Sequence, residues 1–277
     1  MGLYEHSKLT IQVKSLSDDV VVEEKESFLK VKLPSGGRIY AYDGAVLTIY
    51  KDFQVETSKG SRIEVYETAE VVAKLDSIVW AYDSVKVLAS ENAIIKSYDD
   101  VVVEAKGKAV VYAKESSRVT ASENAIIKVY GYAFVEASGN VTVESYGESR
   151  VEASGKGKTV VNSFDRSKVI AKGNVKVKAS NESNVELRET AEGELLDTAI
   201  GSAYNNSKVV LLNRSNIMAY DTATVIVKDN ATANAYGKTT IEAYNNSKVV
   251  ALENSFVTVY QNADVKLMDK AKSKIKR

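Results

Sequence analysis

The sequence predicts an all-β chain that winds into a parallel, two-sided β-solenoid with about 16 residues in each coil. Three observations predict this fold. Branched aliphatic residues recur every eight positions, small or apolar residues lie two positions to either side of each of them, and tyrosines recur every sixteen positions. A repeat this regular determines the architecture before any single residue is interpreted.

The central residues of the eight-residue repeat, here called octad centres, predict the strands. The centres run in steps of eight from Ile39 to Val151 and, after an insertion, from Val161 to Val265. Inward residues that alternate over five positions are typical of a strand. The β-branched residues that crowd the centres argue against a helix. Three centres are not Val, Ile or Leu: Gly193, Gly201 and Ala233.

The three remaining positions of each octad predict a corner. They carry Tyr-Gly, Ser-Gly, Tyr-Asp, Lys-Gly or Tyr-Asn-Asn. These residue types accept a positive φ and therefore allow a sharp turn. Each octad thus corresponds to one short strand followed by one corner.

The tyrosines at the corners indicate how many octads close one coil. Spacings of sixteen favour two octads per coil, with identical corners stacked above one another; a three-sided coil of 24 residues is the alternative. The sixteen-residue series are Tyr50, Tyr66, Tyr82 and Tyr98; Tyr130 and Tyr146; Tyr204, Tyr220 and Tyr236; Tyr244 and Tyr260.

The repeat also defines the domain organisation. Residues 1–33 lie outside it and contain alternating runs, which predict an N-terminal β cap or attachment segment. Residues 34–268 form the solenoid, with a phase slip near residues 155–160 that, together with the glycine centres, divides it into two subregions. Residues 269–277 are a basic C-terminal tail, whose lysines are typical of a solvated sheet edge.

Composition excludes several functions. The 37 basic residues balance the 37 acidic ones, so neither nucleic acid nor a membrane is an expected partner. The chain has no cysteine and one histidine, His6, which argues against a Ser-His-Asp triad and a multi-histidine metal site. We expect neither an enzyme nor a cofactor. The N-terminus lacks a signal peptide, which predicts a cytoplasmic or virion-associated protein.

Two outward features suggest alternative functions. Glu136 and Glu152 lie one predicted coil apart, about 5 Å, the carboxylate spacing of a retaining glycosidase. Arg150 and Arg118 lie on the same face, which favours a charge-compensated ladder instead. Thr224 and Thr240 make a threonine row too short for an ice-binding surface.

One outward column predicts an interface. Ile78, Ile94, Val110 and Ile126 follow one another at intervals of sixteen, and Trp80 and Tyr112 lie two residues further along the same face. A contiguous exposed apolar patch usually marks an interaction site, and aromatic residues concentrate binding energy. The partner is either a second copy of the chain or a different protein. The other side carries a scattered apolar set: Ile170, Ile200, Met218 and Val250.

The octads AFVEASGN (133–140), SRVEASGK (149–156) and TTIEAYNN (239–246) resemble the VxAxGNA-type octapeptide repeats of bacterial and phage-encoded proteins. The paired octads are also similar to the sixteen-residue coils of bacterial ice-nucleation proteins, whose threonine motif is missing here. Most proteins with such repeats have no assigned function, and the resemblance, which covers residues 39–268, implies the architecture only. Our leading hypothesis is a non-enzymatic scaffold or protein-binding solenoid of phage or mobile-element origin that binds a host protein or itself. A phage tail or surface module that binds or degrades glycans is the alternative, and an ice-binding protein is the second alternative.

Overall fold

The computed structural model describes residues 53–276 and, before them, the six strands between Glu5 and Ile49. The chain falls into two compact units, Met1–Glu136 and Ala137–Arg277. The described residues form strands and corners throughout, and none of them belongs to a helix that could cross a membrane. The predicted all-β parallel solenoid is confirmed.

Unit 1 contains sixteen strands and most of a seventeenth, β17, which ends two residues beyond it. The strands are β1 (Glu5–His6), β2 (Leu9–Lys14), β3 (Val21–Lys25), β4 (Phe28–Lys32), β5 (Arg38–Tyr42), β6 (Val46–Ile49), β7 (Gln54–Thr57), β8 (Arg62–Val65), β9 (Glu70–Ala73), β10 (Ile78–Ala81), β11 (Lys86–Ala89), β12 (Ile94–Ser97), β13 (Val102–Ala105), β14 (Val110–Ala113), β15 (Arg118–Ala121), β16 (Ile126–Val129) and β17 (Phe134–Ser138).

Unit 2 contains the remaining strands. They are β18 (Thr142–Ser145), β19 (Arg150–Ser163), β20 (Lys168–Ala179), β21 (Asn184–Arg188), β22 (Glu192–Leu195), β23 (Ile200–Ala203), β24 (Lys208–Leu211), β25 (Asn216–Ala219), β26 (Thr224–Val227), β27 (Thr232–Ala235), β28 (Thr240–Ala243), β29 (Lys248–Ala251), β30 (Phe256–Tyr260), β31 (Asp264–Leu267) and β32 (Lys272–Lys276). The basic segment 269–277 thus contains β32, which pairs in parallel with β30.

The N-terminal strands pair differently from the rest. β1 and β2 are antiparallel, β3 and β4 are antiparallel, and β2 runs antiparallel to β5. β4 already pairs in parallel with β6. The other residues of the expected cap at 1–33, and the side chain of His6 in β1, lie outside the described part.

Each coil of unit 1 contains two octads. Val79 pairs with Ile95 and Ile95 with Val111, sixteen residues apart in both cases. Alternate strands therefore form two parallel stacks, one through β8, β10, β12, β14 and β16 and one through β7, β9, β11, β13 and β15. The sixteen-residue coil is as predicted, and the 24-residue alternative is wrong.

The octad centres and their small neighbours form the core. In β13 the centre Val103 is buried, as are Val101 and Ala105 two residues away, while Val102 and Glu104 point outward. The residues two positions from a centre are mostly alanine, serine or valine, and they are buried with it. Burial of each centre removes apolar surface from water, which stabilises the fold by roughly 25 cal/mol for each Å² buried.

In the described corners the residue four positions after a centre is left-handed, and in two corners the next residue, Gly60 or Asp76, is left-handed as well. Asp83 has φ 59° and Asp99 has φ 55°. The side chain at this position accepts a hydrogen bond from the backbone of the preceding coil: the Glu67 N–H donates to Asp83 Oδ2 at 2.9 Å and the Asp99 N–H to Glu115 Oε2 at 2.9 Å. Corner carboxylates thus join successive coils.

Aromatic ladders join the corners as well. The Tyr66 and Tyr82 rings stack at 4.7 Å between centroids, and Tyr82 and Tyr98 stack at 4.8 Å. In unit 2 the Tyr244 and Tyr260 rings stack at 4.3 Å, and the Tyr244 hydroxyl donates to Glu242 at 2.9 Å. In these ladders, tyrosines sixteen residues apart stack at the corners of successive coils, as the spacing predicts.

The phase slip coincides with a widened coil in unit 2. Val143 pairs with Val161 and Val151 with Val169, which are eighteen residues apart, and the register shifts between Gly155 and Thr159. The backbone remains extended through this corner, since β19 continues from residue 150 to residue 163. Here a two-residue insertion changes the corner and leaves the strands on either side paired in parallel.

The glycine centres are filled by leucines from neighbouring octads. A Cβ on Gly193 would lie 2.5 Å from Leu187 Cδ1, and a Cβ on Gly201 would lie 3.0 Å from Leu195 Cδ2. Both leucines are fully buried at a position where most other octads carry alanine or serine. The large and small residues have exchanged places, so the core at these glycines is packed.

Candidate protein-interaction surface

The predicted interface residues lie together on one stack of unit 1. Ile78 pairs with Ile94, Ile94 with Val110, and Val110 with Ile126, so the four residues occupy one column in four successive coils. A second column beside it contains Trp80, Lys96, Tyr112 and Lys128 in the same register. We call these eight residues the Ile–Trp face.

The strand geometry explains why these side chains point outward. Each lies directly before or after a buried octad centre, and successive residues of a strand point to opposite sides of the sheet. Ile126 is 42% exposed, whereas Ile78, Ile94, Val110, Trp80 and Tyr112 are half-buried by their neighbours in the columns. The four aliphatic residues therefore form a continuous apolar column, in which each side chain packs against its neighbours one coil away.

The second column alternates aromatic rings with cations. Lys96 Nζ lies 5.0 Å from the centroid of the Trp80 ring, within the range of a cation–π interaction. Among the eight residues there are two lysines and no carboxylate. The preceding coil is different, since Arg62 pairs with Ile78 and Glu64 pairs with Trp80 at the boundary of the face.

The corner beside the face carries the Tyr66–Tyr82–Tyr98 ladder, which Lys114 Nζ covers at 5.0 Å from the Tyr98 ring centroid. Burial raises the pKa of Tyr82, and the nearby Tyr98, Glu64 and Asp99 raise it further. Because an ordinary tyrosine is already protonated at neutral pH, this shift matters only in alkaline solution.

The other stack of unit 1 has a different outward surface. It carries ion pairs between Lys86 and Glu70 at 3.5 Å and between Lys74 and Glu56 at 3.0 Å. Sequence analysis missed two exposed apolar residues on this stack, Leu88 and Val102, which are 38% and 46% exposed. Their positions directly beside the centres Val87 and Val103 could have identified them. They occupy different columns, in which Leu88 lies between Val72 and Glu104 and Val102 lies between Lys86 and Arg118.

The apolar residues predicted on unit 2 do not form a column. Ile170 pairs with Glu186, Ile200 with Asn216, Met218 with Asn234 and Val250 with Lys266. Each apolar side chain is thus followed by a polar one. Ile200 and Met218 are both 47% exposed, and they remain isolated from each other in the register.

The candidate carboxylates lie in different units, Glu136 in unit 1 and Glu152 in unit 2. Glu136 is exposed, and Glu152 forms an ion pair with Arg150 on its own strand. Thr224 pairs with Thr240, but Lys208 precedes them in the column and Phe256 follows. The described part of the chain contains no group of three or more His, Cys, Asp or Glu side chains placed to hold a metal ion.

Comparison of the chain with protein-family models, with curated proteins and with solved structures finds no match in any of the three.

Proposed function

We propose that this chain is a non-enzymatic β-solenoid that binds protein through the Ile–Trp face. The observation that carries the proposal is the uninterrupted column of Ile78, Ile94, Val110 and Ile126 beside Trp80 and Tyr112. The four β-branched residues stabilise the strands that carry them, and they also leave a strip of apolar surface in contact with water. A protein surface gains apolar contact area from them.

The rigid stacking of the columns favours binding further. Side chains already held by neighbours one coil away lose little rotamer freedom when a partner covers them. Tryptophan and tyrosine are enriched among binding hot spots, and the face carries one of each beside its aliphatic column. The partner is therefore expected to present apolar residues, with carboxylates or aromatic rings opposite Lys96 and Lys128.

The test compares two matched double variants with the unchanged chain. Ile94→Lys with Ile126→Lys places cations in the column, whereas Leu88→Lys with Val102→Lys places the same number of cations on the other stack of unit 1. All three proteins are immobilised and exposed to a bacterial lysate, and the retained proteins are identified by mass spectrometry.

We expect at least one protein to be retained by the unchanged chain and by the Leu88/Val102 variant, and to be reduced at least tenfold on the Ile94/Ile126 variant. Its binding should also shift the emission of Trp80, the only tryptophan in the chain. Identical retention by all three proteins would refute the role of this face. Far-UV circular dichroism of each variant checks that the strands remain intact.

A further inference from the structure

We infer that the Ile–Trp face binds the same face of a second copy of the chain, with the coils of the two copies running in opposite directions. This inference rests on the proposed function, since it names the partner of that face. When two copies of the face meet in opposite orientation, the order of residues in each column places compatible side chains opposite each other.

The first column fits its own reverse because all four members are β-branched and apolar. A two-fold axis that lies between the two faces, parallel to the strands, keeps each column opposite its own counterpart and reverses the order of the coils. With the axis between the second and third coils of the face, Ile78 lies opposite Ile126 and Ile94 lies opposite Val110. Each of these two pairs occurs twice by symmetry, so an aliphatic side chain meets another in all four coils of the face.

The second column determines the orientation, because its order is Trp80, Lys96, Tyr112, Lys128. Reversal places Trp80 opposite Lys128 and Lys96 opposite Tyr112. Each cation therefore faces an aromatic ring, and no lysine faces another lysine. The contact between Lys96 and Trp80 within one copy, at 5.0 Å, shows that these side chains can adopt such a geometry here.

Other ways of pairing the two faces fit less well. A two-fold axis parallel to the coil axis keeps the coils in order and exchanges the columns. Lys96 then lies opposite Ile94, and Lys128 opposite Ile126. Both lysines would be covered by aliphatic side chains without a partner for the charge, which is unfavourable. Of these two arrangements, only the reversed one pairs every residue of the face with a compatible one.

The size of the face predicts a weak dimer. Four coils at about 4.8 Å each and strands of four residues at about 3.3 Å per residue give roughly 250 Å² per copy. Two copies would bury roughly 500 Å² in total, well below the about 1,200–2,000 Å² of stable complexes, so the contact is weaker than that of a stable dimer. We expect reversible association that becomes visible between roughly 10 µM and 1 mM chain.

The first experiment measures self-association of the full chain by sedimentation velocity over that concentration range. The unchanged chain and the Leu88→Lys/Val102→Lys control should shift from monomer towards dimer. Ile94→Lys/Ile126→Lys should stay monomeric throughout. Emission of Trp80 should move to shorter wavelength with dimerisation, because the ring loses contact with water.

The second experiment tests the orientation, using the absence of native cysteine. Ile78→Cys and Ile126→Cys are prepared separately and treated with a bis-maleimide of roughly 10 Å reach, the distance between sheets packed face to face. A mixture of the two variants should cross-link. Each variant alone should not, because identical residues then lie three coils, about 14 Å, apart along the face in addition to the gap between the sheets.

The outcomes separate this inference from the proposed function. A chain that is monomeric at the highest concentration overturns the inference, and so does cross-linking of Ile78→Cys to itself in preference to Ile126→Cys. Neither result affects capture of a different protein through the Ile–Trp face. Conversely, a cross-linked Ile78/Ile126 pair together with face-dependent dimerisation supports the inference even when the lysate contains no other partner.

Discussion

At the scale of single residues, the corner position shows how polar side chains contribute to a stack of strands. Asp165, Asn181, Asp197, Asn213, Asp229 and Asn245 alternate in one column of unit 2. The Asn213 amide donates to Asp197 Oδ1 at 3.2 Å, and its backbone N–H donates to Asp229 Oδ2 at 3.1 Å. The neutral amide separates like charges that would otherwise lie one coil apart, and it satisfies acceptors on both sides.

The positions of the corners could be predicted from the sequence, but the hydrogen bonds between coils could not. Asn, Asp and Gly tolerate a left-handed conformation, which is why the sequence indicates turns there. Leu75 adopts the same conformation with φ 42°, although leucine does not favour it. The stacked corners impose the conformation on whichever residue occupies the position, so local preference explains only part of the pattern.

A larger side chain at Gly193 should lower the stability of unit 2. Gly193→Ala should destabilise unit 2 by about 1–3 kcal/mol, because the new Cβ would lie 2.5 Å from Leu187 Cδ1 in a closely packed core. Combining Gly193→Val with Leu187→Ala should recover most of that loss, since this pair restores the arrangement of ordinary octads. Denaturation in guanidinium chloride measures both. If Gly193→Ala is stabilising, the exchange of large and small residues is not what holds this coil.

At the scale of structural elements, the widened corner shows where sequence reasoning ends. The phase slip near residues 155–160 is visible as a break in the octad spacing, but a two-residue insertion could either loop out or remain in the sheet. A Cβ on Gly157 would lie 2.0 Å from the Gly139 carbonyl oxygen, so only glycine allows the extended backbone to pass this close to the preceding coil. That approach depends on tertiary packing.

The Ile–Trp face likewise has features that the sequence predicts and features that depend on tertiary packing. Its members could be found from the sequence because strand alternation and the sixteen-residue coil together determine which side chains point outward and which ones are adjacent. The half-burial of Trp80 and its contact with Lys96 could not, since both depend on the rotamers that neighbouring coils select. The column was predictable, and its packing was not.

The tyrosine ladders predict how stability depends on pH. The pKa values of Tyr82, Tyr220 and Tyr244 are raised, in each case chiefly by burial, with neighbouring tyrosines adding to the effect. An unfolded tyrosine ionises near pH 10. Above about pH 10 the unfolded chain therefore loses these protons first, and the free energy of unfolding should fall as pH rises further.

Denaturation midpoints measured from pH 8 to about pH 12 test this dependence, with ultraviolet absorbance following tyrosinate formation. A variant with Tyr82→Phe, Tyr220→Phe and Tyr244→Phe keeps the stacked rings and removes three ionisable hydroxyls. It should lose less stability between these pH values than the unchanged chain. Equal losses would mean that ionisation elsewhere controls the alkaline transition.

At the scale of the whole molecule, the register makes stability a local property. An inner strand such as β13 hydrogen-bonds to the strand one coil before it and to the strand one coil after it. Stability in such a chain is approximately a sum of coil terms and nearest-neighbour terms. The division into two compact units suggests that a defect in one of them leaves the other folded.

A charge in the core of unit 1 should therefore open only the coils next to it. Val103 is 1% exposed, and Val103→Asp would place a carboxylate there without a partner, so β13 and its neighbours β11 and β15 should open. Amide hydrogen exchange should rise in those strands and remain unchanged in β22–β28 of unit 2. The reciprocal variant Val225→Asp, at a fully buried centre of unit 2, should show the mirror-image pattern. If either substitution raises exchange equally in both units, the chain unfolds as one cooperative body and the nearest-neighbour description fails.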